Sequence, residues 1–182
     1  MVSFMDEMPA YADESIRGNR YLMAVVILDP SDGGGKSREL VRAKARSMGR
    51  SSLHFSRLLP AQRTEGMQLL AELSGLRSKV FEHRKAQGEK GKAARAVVLE
   101  AMVRFLQEEG VTSLVLDQFQ GAEQTDGRII GRERSKRPGT LTYSHRHFGD
   151  EPLLWIADGI AYNAGAKQCA PFPAWHEGTK KV

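Results

Sequence analysis

A mixed α/β sheet flanked by helices is the fold class this chain predicts, on three observations. Two β-rich segments, residues 10–15 and 21–29, are joined by the turn-like Arg17-Gly18-Asn19-Arg20, which predicts an opening hairpin. Strand-like and helix-like segments then alternate to the end of the chain, the pattern of a sheet covered by helices. Finally, 182 residues suffice for one ordinary core but hardly for two, so a single domain over residues 1–182 is expected.

The elements follow in order. After Asp32-Gly33-Gly34-Gly35, residues 36–48 have helical composition, and residues 52–56 predict a short third strand. Residues 60–76 predict an amphipathic helix in which Met67, Leu70, Ala71 and Leu73 approximate one apolar face. A strand is expected at 78–83. Residues 91–109 carry Ala94, Val97, Val98, Ala101, Met102, Phe105 and Leu106 at helical spacing, and Gly110 ends that helix. Residues 111–117 read as an apolar strand, and 140–147 followed by 152–162 as a last strand and helix. Between them, residues 127–139 hold Arg128, Arg132, Arg134, Lys136 and Arg137 against one acid, Glu133, and predict an exposed basic loop. Residues 168–182 are expected to form a short C-terminal tail.

Composition narrows the function classes. An apolar fraction of 41% with 27% charged residues is globular rather than disordered. The single cysteine, Cys169, excludes an intrachain disulfide and a cysteine-rich zinc module, and fits a reducing compartment. The first twenty residues include Asp6 and Glu7 and lack the basic start and apolar centre of a secretory signal. The longest apolar runs, 21–28 and 152–161, are too short to span a bilayer, so a soluble, cytoplasmic protein with no membrane partner is expected. A net charge of +5 favours polyanionic partners, nucleic acid among them.

Three acids stand in otherwise apolar elements: Asp13, Asp117 and Asp158. The last is the sole charge in Pro152-Leu153-Leu154-Trp155-Ile156-Ala157-Asp158-Gly159-Ile160-Ala161-Tyr162, a helix with proline in its first turn and apolar residues on nearly all sides. A buried carboxylate costs several kcal/mol or more unless it is paired, hydrogen-bonded or metal-bound, so Asp158 requires a partner: a basic side chain, a loop donor or a metal. Asp117 closes the run Leu114-Val115-Leu116, and strand carboxyl ends commonly present ligand-binding groups in α/β folds; it could equally cap a turn. Asp13 and Glu14 are adjacent, so a regular strand points them to opposite faces and only one can join a common site. Both could approach the same ion if the turn began at Glu14.

The segments Tyr11-Ala12-Asp13-Glu14-Ser15, Leu53-His54-Phe55-Ser56 and Leu116-Asp117, together with the helix at 152–162, resemble the bacterial domain of unknown function 3800 family, and the similarity spans almost the full chain. The resemblance implies a ribonuclease H-like fold in which Asp13 or Glu14, Asp117 and Asp158 form an acidic metal cluster. Chemically, Mg²⁺ or Mn²⁺ ions about 4 Å apart can activate water and stabilise the leaving oxygen of a phosphodiester, and carboxylates are their matching hard ligands. The function so read is a metal-dependent nuclease acting on RNA or DNA, with Asp13, Asp117 and Asp158 as ligands, Glu14 as an auxiliary ligand and His54 as a proton donor or acceptor. Arg128, Arg132, Arg134, Lys136 and Arg137 would track the phosphate backbone. The alternative is a non-catalytic nucleic-acid-binding or interaction module that keeps the fold.

Other motifs carry less. His145 and His147 share a face if their segment is extended, and could supply two metal ligands or simply face solvent or substrate. Gly33-Gly34-Gly35-Lys36-Ser37 sits between strand and helix like a phosphate-binding loop, but Pro30 stands where the first glycine of that pattern is required, and a flexible turn is the simpler expectation. Asp126-Gly127 reads as a turn, with Asp126 a supplementary ligand candidate. Trp155 is expected in the core, and Trp175 against the body of the protein or a partner.

Overall fold

The computed structural model describes residues 7–30, 34–118, 121–137, 139, 141–166 and 170–182. The chain order is β1 (Pro9–Arg17), β2 (Arg20–Leu28), α1 (Gly35–Ser47), a 3₁₀ turn (Phe55–Arg57), α2 (Pro60–Glu72), β3 (Leu76–Arg84), α3 (Gly91–Glu108), β4 (Ser113–Asp117), α4 (Glu123–Lys136), β5 (Thr142–Arg146), α5 (Pro152–Gly165) and β6 (His176–Lys181). One six-stranded sheet has the order β5-β4-β1-β2-β3-β6. β1, β2 and β3 form an antiparallel meander, while β4 runs parallel to β1, β5 parallel to β4, and β6 parallel to β3.

The expected hairpin forms, with Gly18 supplying a φ of 59° at the turn between β1 and β2. Alternation along these strands creates two cores. Tyr11, Leu22, Ala24, Val26, Leu28 and Val80 pack with α1, α2 and α5 on one face, and Ala10, Ala12, Tyr21, Met23, Val25 and Phe81 pack with α3 and α4 on the other. Central β2 is buried from Tyr21 to Leu28 because both of its faces are covered.

Helix α5 is buried from Pro152 through Ala161, as its all-round apolar sequence requires. Proline occupies its first turn, and the Glu151 carboxylate accepts a hydrogen bond from the Leu153 N–H at 3.1 Å, satisfying one of the orphan donors at the helix start. Gly159 lets the helix approach closely: a Cβ there would lie 2.7 Å from the Phe55 ring and 2.8 Å from Leu70.

Several expectations are corrected. Residues 52–56 form no strand but an irregular segment leading into the 3₁₀ turn, because the Phe55 N–H is spent on the Asp158 side chain rather than on a neighbouring strand. The basic stretch expected as a loop at 127–139 lies mostly within α4, where Asp126, Ile129, Ile130 and Glu133 recur at helical spacing and are buried. Asp126 is therefore a buried helical residue and not a turn. The expected tail contributes edge strand β6, and Trp175 packs on the first core with its indole N–H donating to the Leu70 carbonyl at 3.2 Å. In the glycine run, Asp32 and Gly33 lie outside the described residues, as does Cys169. Among the described residues no helix is long and apolar enough to cross a membrane.

Gly159→Ala weighs two opposed effects: helix propensity gains about 1 kcal/mol, and overpacking against a fully buried ring costs about 1–3 kcal/mol. With both Phe55 and Leu70 inside contact distance, we expect net destabilisation, read as a lower denaturant midpoint at unchanged slope. An unchanged or higher midpoint would show that the ring moves freely.

Candidate functional site

Three elements bring carboxylates to one end of the sheet. The β1 and β4 register ends at Ala12 with Leu116, so the following residues, Asp13 and Asp117, emerge side by side on parallel strands. Alternation places both on the face covered by α5, since Tyr11 and Val115 pack into that core whereas Ala12 and Leu116 pack into the other. Asp158 comes from α5 above them. Asp13 is 5% exposed and Asp158 3%.

The two buried acids are satisfied very differently. Asp158 Oδ2 accepts the Phe55 N–H at 2.6 Å and lies 3.2 Å from His54 Nδ1, so the segment before the 3₁₀ turn supplies its partners. Asp13 Oδ1 accepts the N–H of its neighbour Glu14 at 2.8 Å, and among the described residues Asp13 takes part in no ion pair. Burial first, then the charges of Asp158, Glu14 and Asp117, push the Asp13 carboxyl well above the usual range. Burial also raises Asp117, with the Gln118 N–H and His147 opposing it. Mutual repulsion in a low-dielectric pocket makes this a place where a cation would bind favourably.

β1 continues regularly to Arg17, so the pleat holds and Glu14 belongs to the opposite face. There its carboxylate is ion-paired with Arg95 of α3. Arg95, 2% exposed, also donates from Nε to Asp126 Oδ1 at 3.0 Å and from Nη2 to Asp126 Oδ2 at 2.9 Å, and His145 Nε2 lies 2.9 Å from that same oxygen. Burial raises the Glu14 carboxyl and Arg95 partly offsets it. Sequence reasoning missed Arg95, although a lone arginine between Ala94 and Val98 on a buried helical stripe carries the same signal as Asp158 in its helix.

In front of the acids is a cleft of about 470 Å³ lined by Asp13, Glu14, Ser51, Ser52, His54, Arg57, Asp117, His147, Phe148 and Gly149. The buried Trp155 braces its far wall, donating its N–H to the Phe148 carbonyl at 2.7 Å, and the Phe148 ring lies 5.0 Å from that of His54. His147 lies beyond the end of β5 and lines the cleft, whereas His145 is committed to Asp126; the two do not form a common ligand pair. The α4 cations are on the other face of the sheet. Arg132 and Lys136 pair with Glu133, Arg132 also with Glu100, and Arg137 with Glu108. Burial would raise Glu133, but hydrogen bonds from Lys136 and Arg104 hold it down at about 2.

The donor set is all oxygen and anionic, which suits a hard divalent cation rather than zinc or copper. Among the described residues, no three His, Cys, Asp or Glu side chains already converge as metal ligands. The chemistry therefore fits such an ion, and closing on it requires side-chain adjustment.

A raised carboxyl in the folded state means that stability falls as pH climbs from the ordinary aspartate range through the raised value. In EDTA, Asp13→Asn is expected to stabilise the protein at pH 7 by about 0.5–2 kcal/mol and to flatten that part of the pH profile. Equal melting temperatures at both ends of the profile would contradict this electrostatic account.

No protein-family model matches the chain, and no curated protein does. Among solved structures it is similar to RNase HII in the PCNA:RNase HII complex from Archaeoglobus fulgidus, with a TM-score of 0.53 and 14% identity over 85% of this chain and 71% of that chain. At that identity the likeness is one of fold: the mixed six-stranded sheet and its flanking helices are ribonuclease H-like.

Proposed function

We propose that the protein is a metal-dependent phosphodiesterase acting on RNA or DNA, with Asp13, Asp117 and Asp158 as the ligands of Mg²⁺ or Mn²⁺. The observation that carries this reading is Asp13: a buried, repelled carboxylate with no ion pair among the described residues, beside Asp117 and below Asp158, opening on a cleft. The ribonuclease H-like fold and the RNase HII neighbour support it. So does the meeting at one end of the sheet of residues 11–15, 53–56, 116–117 and 152–162, the segments that resemble the domain of unknown function 3800 family, and we propose a relationship to that family.

When bound, the cations would supply Lewis acidity to the scissile phosphate and its attacking water. The chain's own residues have distinct tasks. Asp117, at the end of its strand and half-buried, is the ligand that would turn inward on a cation; Asp158 is held by the Phe55 N–H. His54 faces Asp158 with Nδ1, which leaves Nε2 to take a proton from the attacking water or, on a protonated ring, to give one to the departing oxygen. Arg57 on the cleft rim is placed to meet a phosphate. For Arg128, Arg132, Arg134, Lys136 and Arg137 to touch the same strand, the nucleic acid would have to pass around the β5 edge.

The lack of three converged ligands, with Asp158 already satisfied by protein donors, is what favours the alternative of a non-catalytic module. Labelled single- and double-stranded RNA and DNA, incubated with Mn²⁺, Mg²⁺ or EDTA, separate the two. Asp158→Asn retains an oxygen for the Phe55 N–H and should stay folded. It is expected to lose cleavage by more than the about 10–100-fold typical of outer-shell losses. Cleavage that survives EDTA, or is equal in the folded variant, would overturn the metal mechanism; binding without cleavage would establish the module.

A further inference from the structure

Behind the cleft, Glu14 from β1, Tyr21 from β2 and Asp126 from α4 surround the Arg95 guanidinium presented by α3, and His145 from β5 pairs with Asp126. Burying an ionised arginine and two acids is costly unless their geometry is good, and here two nitrogens of the guanidinium grip both oxygens of Asp126 while the third meets Glu14. The cleft reaction uses none of this charge. Its link to the cleft is Glu14, whose side chain belongs to Arg95, whose backbone N–H holds Asp13 Oδ1, and which lines the cleft rim.

We propose that Arg95 is a positioning residue that withholds Glu14 from the cation site, so that a cation is held by Asp13, Asp117 and Asp158 while the Glu14 backbone orients Asp13. This rests on the metal reading above. A cation recruiting the Glu14 carboxylate would have to break a charge-assisted, desolvated hydrogen bond and leave Arg95 beside a dication. Asp126 anchors the guanidinium so that it cannot follow Glu14 toward the cleft, and His145 holds the far side of Asp126.

The test is calorimetric titration of Mn²⁺ into folded protein without nucleic acid. Replacing Arg95 alone strands a buried Asp126, so the releasing variant is Arg95→Met combined with Asp126→Leu, with melting curves confirming the fold. Release of Glu14 is expected to tighten Mn²⁺ binding about tenfold or more, and adding Glu14→Gln should abolish the gain. A gain that persists with Glu14→Gln would be mere removal of positive charge and would overturn the proposal, as would no gain. Glu14→Gln in the otherwise native chain gives an independent reading, because glutamine still accepts from Arg95. A fall in Mn²⁺ affinity of less than about tenfold is expected, whereas loss of a ligand should exceed the about 10–100-fold of an outer-shell change and would overturn the proposal. If the unaltered protein binds no Mn²⁺, the metal reading itself fails.

Discussion

The hydrogen bond from the Phe55 N–H to Asp158 is the interaction on which the arrangement of this end of the molecule depends. A carboxylate in the middle of an apolar helix is tolerable only with a donor, and the donor comes from the first residue of a single 3₁₀ turn. The bond thus fixes two things at once. It satisfies α5 where it crosses β1, and it pins residues 54–57 over the cleft, with the Phe55 ring seated against Gly159 and the His54 ring against Phe148. Without the glycine the ring could not reach this seat, and without the ring the turn would present its backbone donor elsewhere. Packing and polar satisfaction are one constraint here.

Much of the architecture was legible because its signals are periodic. The apolar run of β2, the all-round apolar α5 and the stripe of α3 allowed little choice, and their boundaries fall close to the expected ones. Failures came where a tertiary partner replaced a local signal. Residues 52–56 look like a strand because Leu53 and Phe55 alternate with polar neighbours, yet their burial is against α5 and α2, and their backbone donor goes to a side chain. The stretch at 127–139 looks like a basic loop because arginine and lysine outnumber everything else. Its order comes from Ile129 and Ile130 in the second core and from glutamates on α3 that sequence proximity does not reveal.

The site itself was partly legible. Lone acids in apolar elements pointed to Asp13, Asp117 and Asp158, and the period of two in a strand narrowed Asp13 and Glu14 to one candidate for the shared face. Choosing between them needed the strand register and the identity of each core, since both faces of this sheet are apolar and composition cannot label them. The contact among Arg95, His145 and Asp126 lay beyond sequence reasoning for a related reason: their meaning is mutual, and they come from three elements separated by intervening chain.

Adjacent acids thus meet opposite fates. On the α3 and α4 face, Glu14 and Asp126 share a guanidinium that offsets one of their two charges. On the α5 face, Asp13, Asp117 and Asp158 face one another, no arginine or lysine among the described residues is ion-paired with any of them, and Asp13 is held in a state that resists ionisation. The chain demonstrably contains a means of neutralising buried carboxylates, since it places a nearly fully buried arginine within one residue of Asp13. That no such cation is paired with the acids of the cleft face, among the described residues, is therefore a local property of that face. A fold selected for stability alone would gain by supplying one or by removing an acid, which makes the imbalance at the cleft the most direct physical argument that this end of the sheet serves a ligand of positive charge.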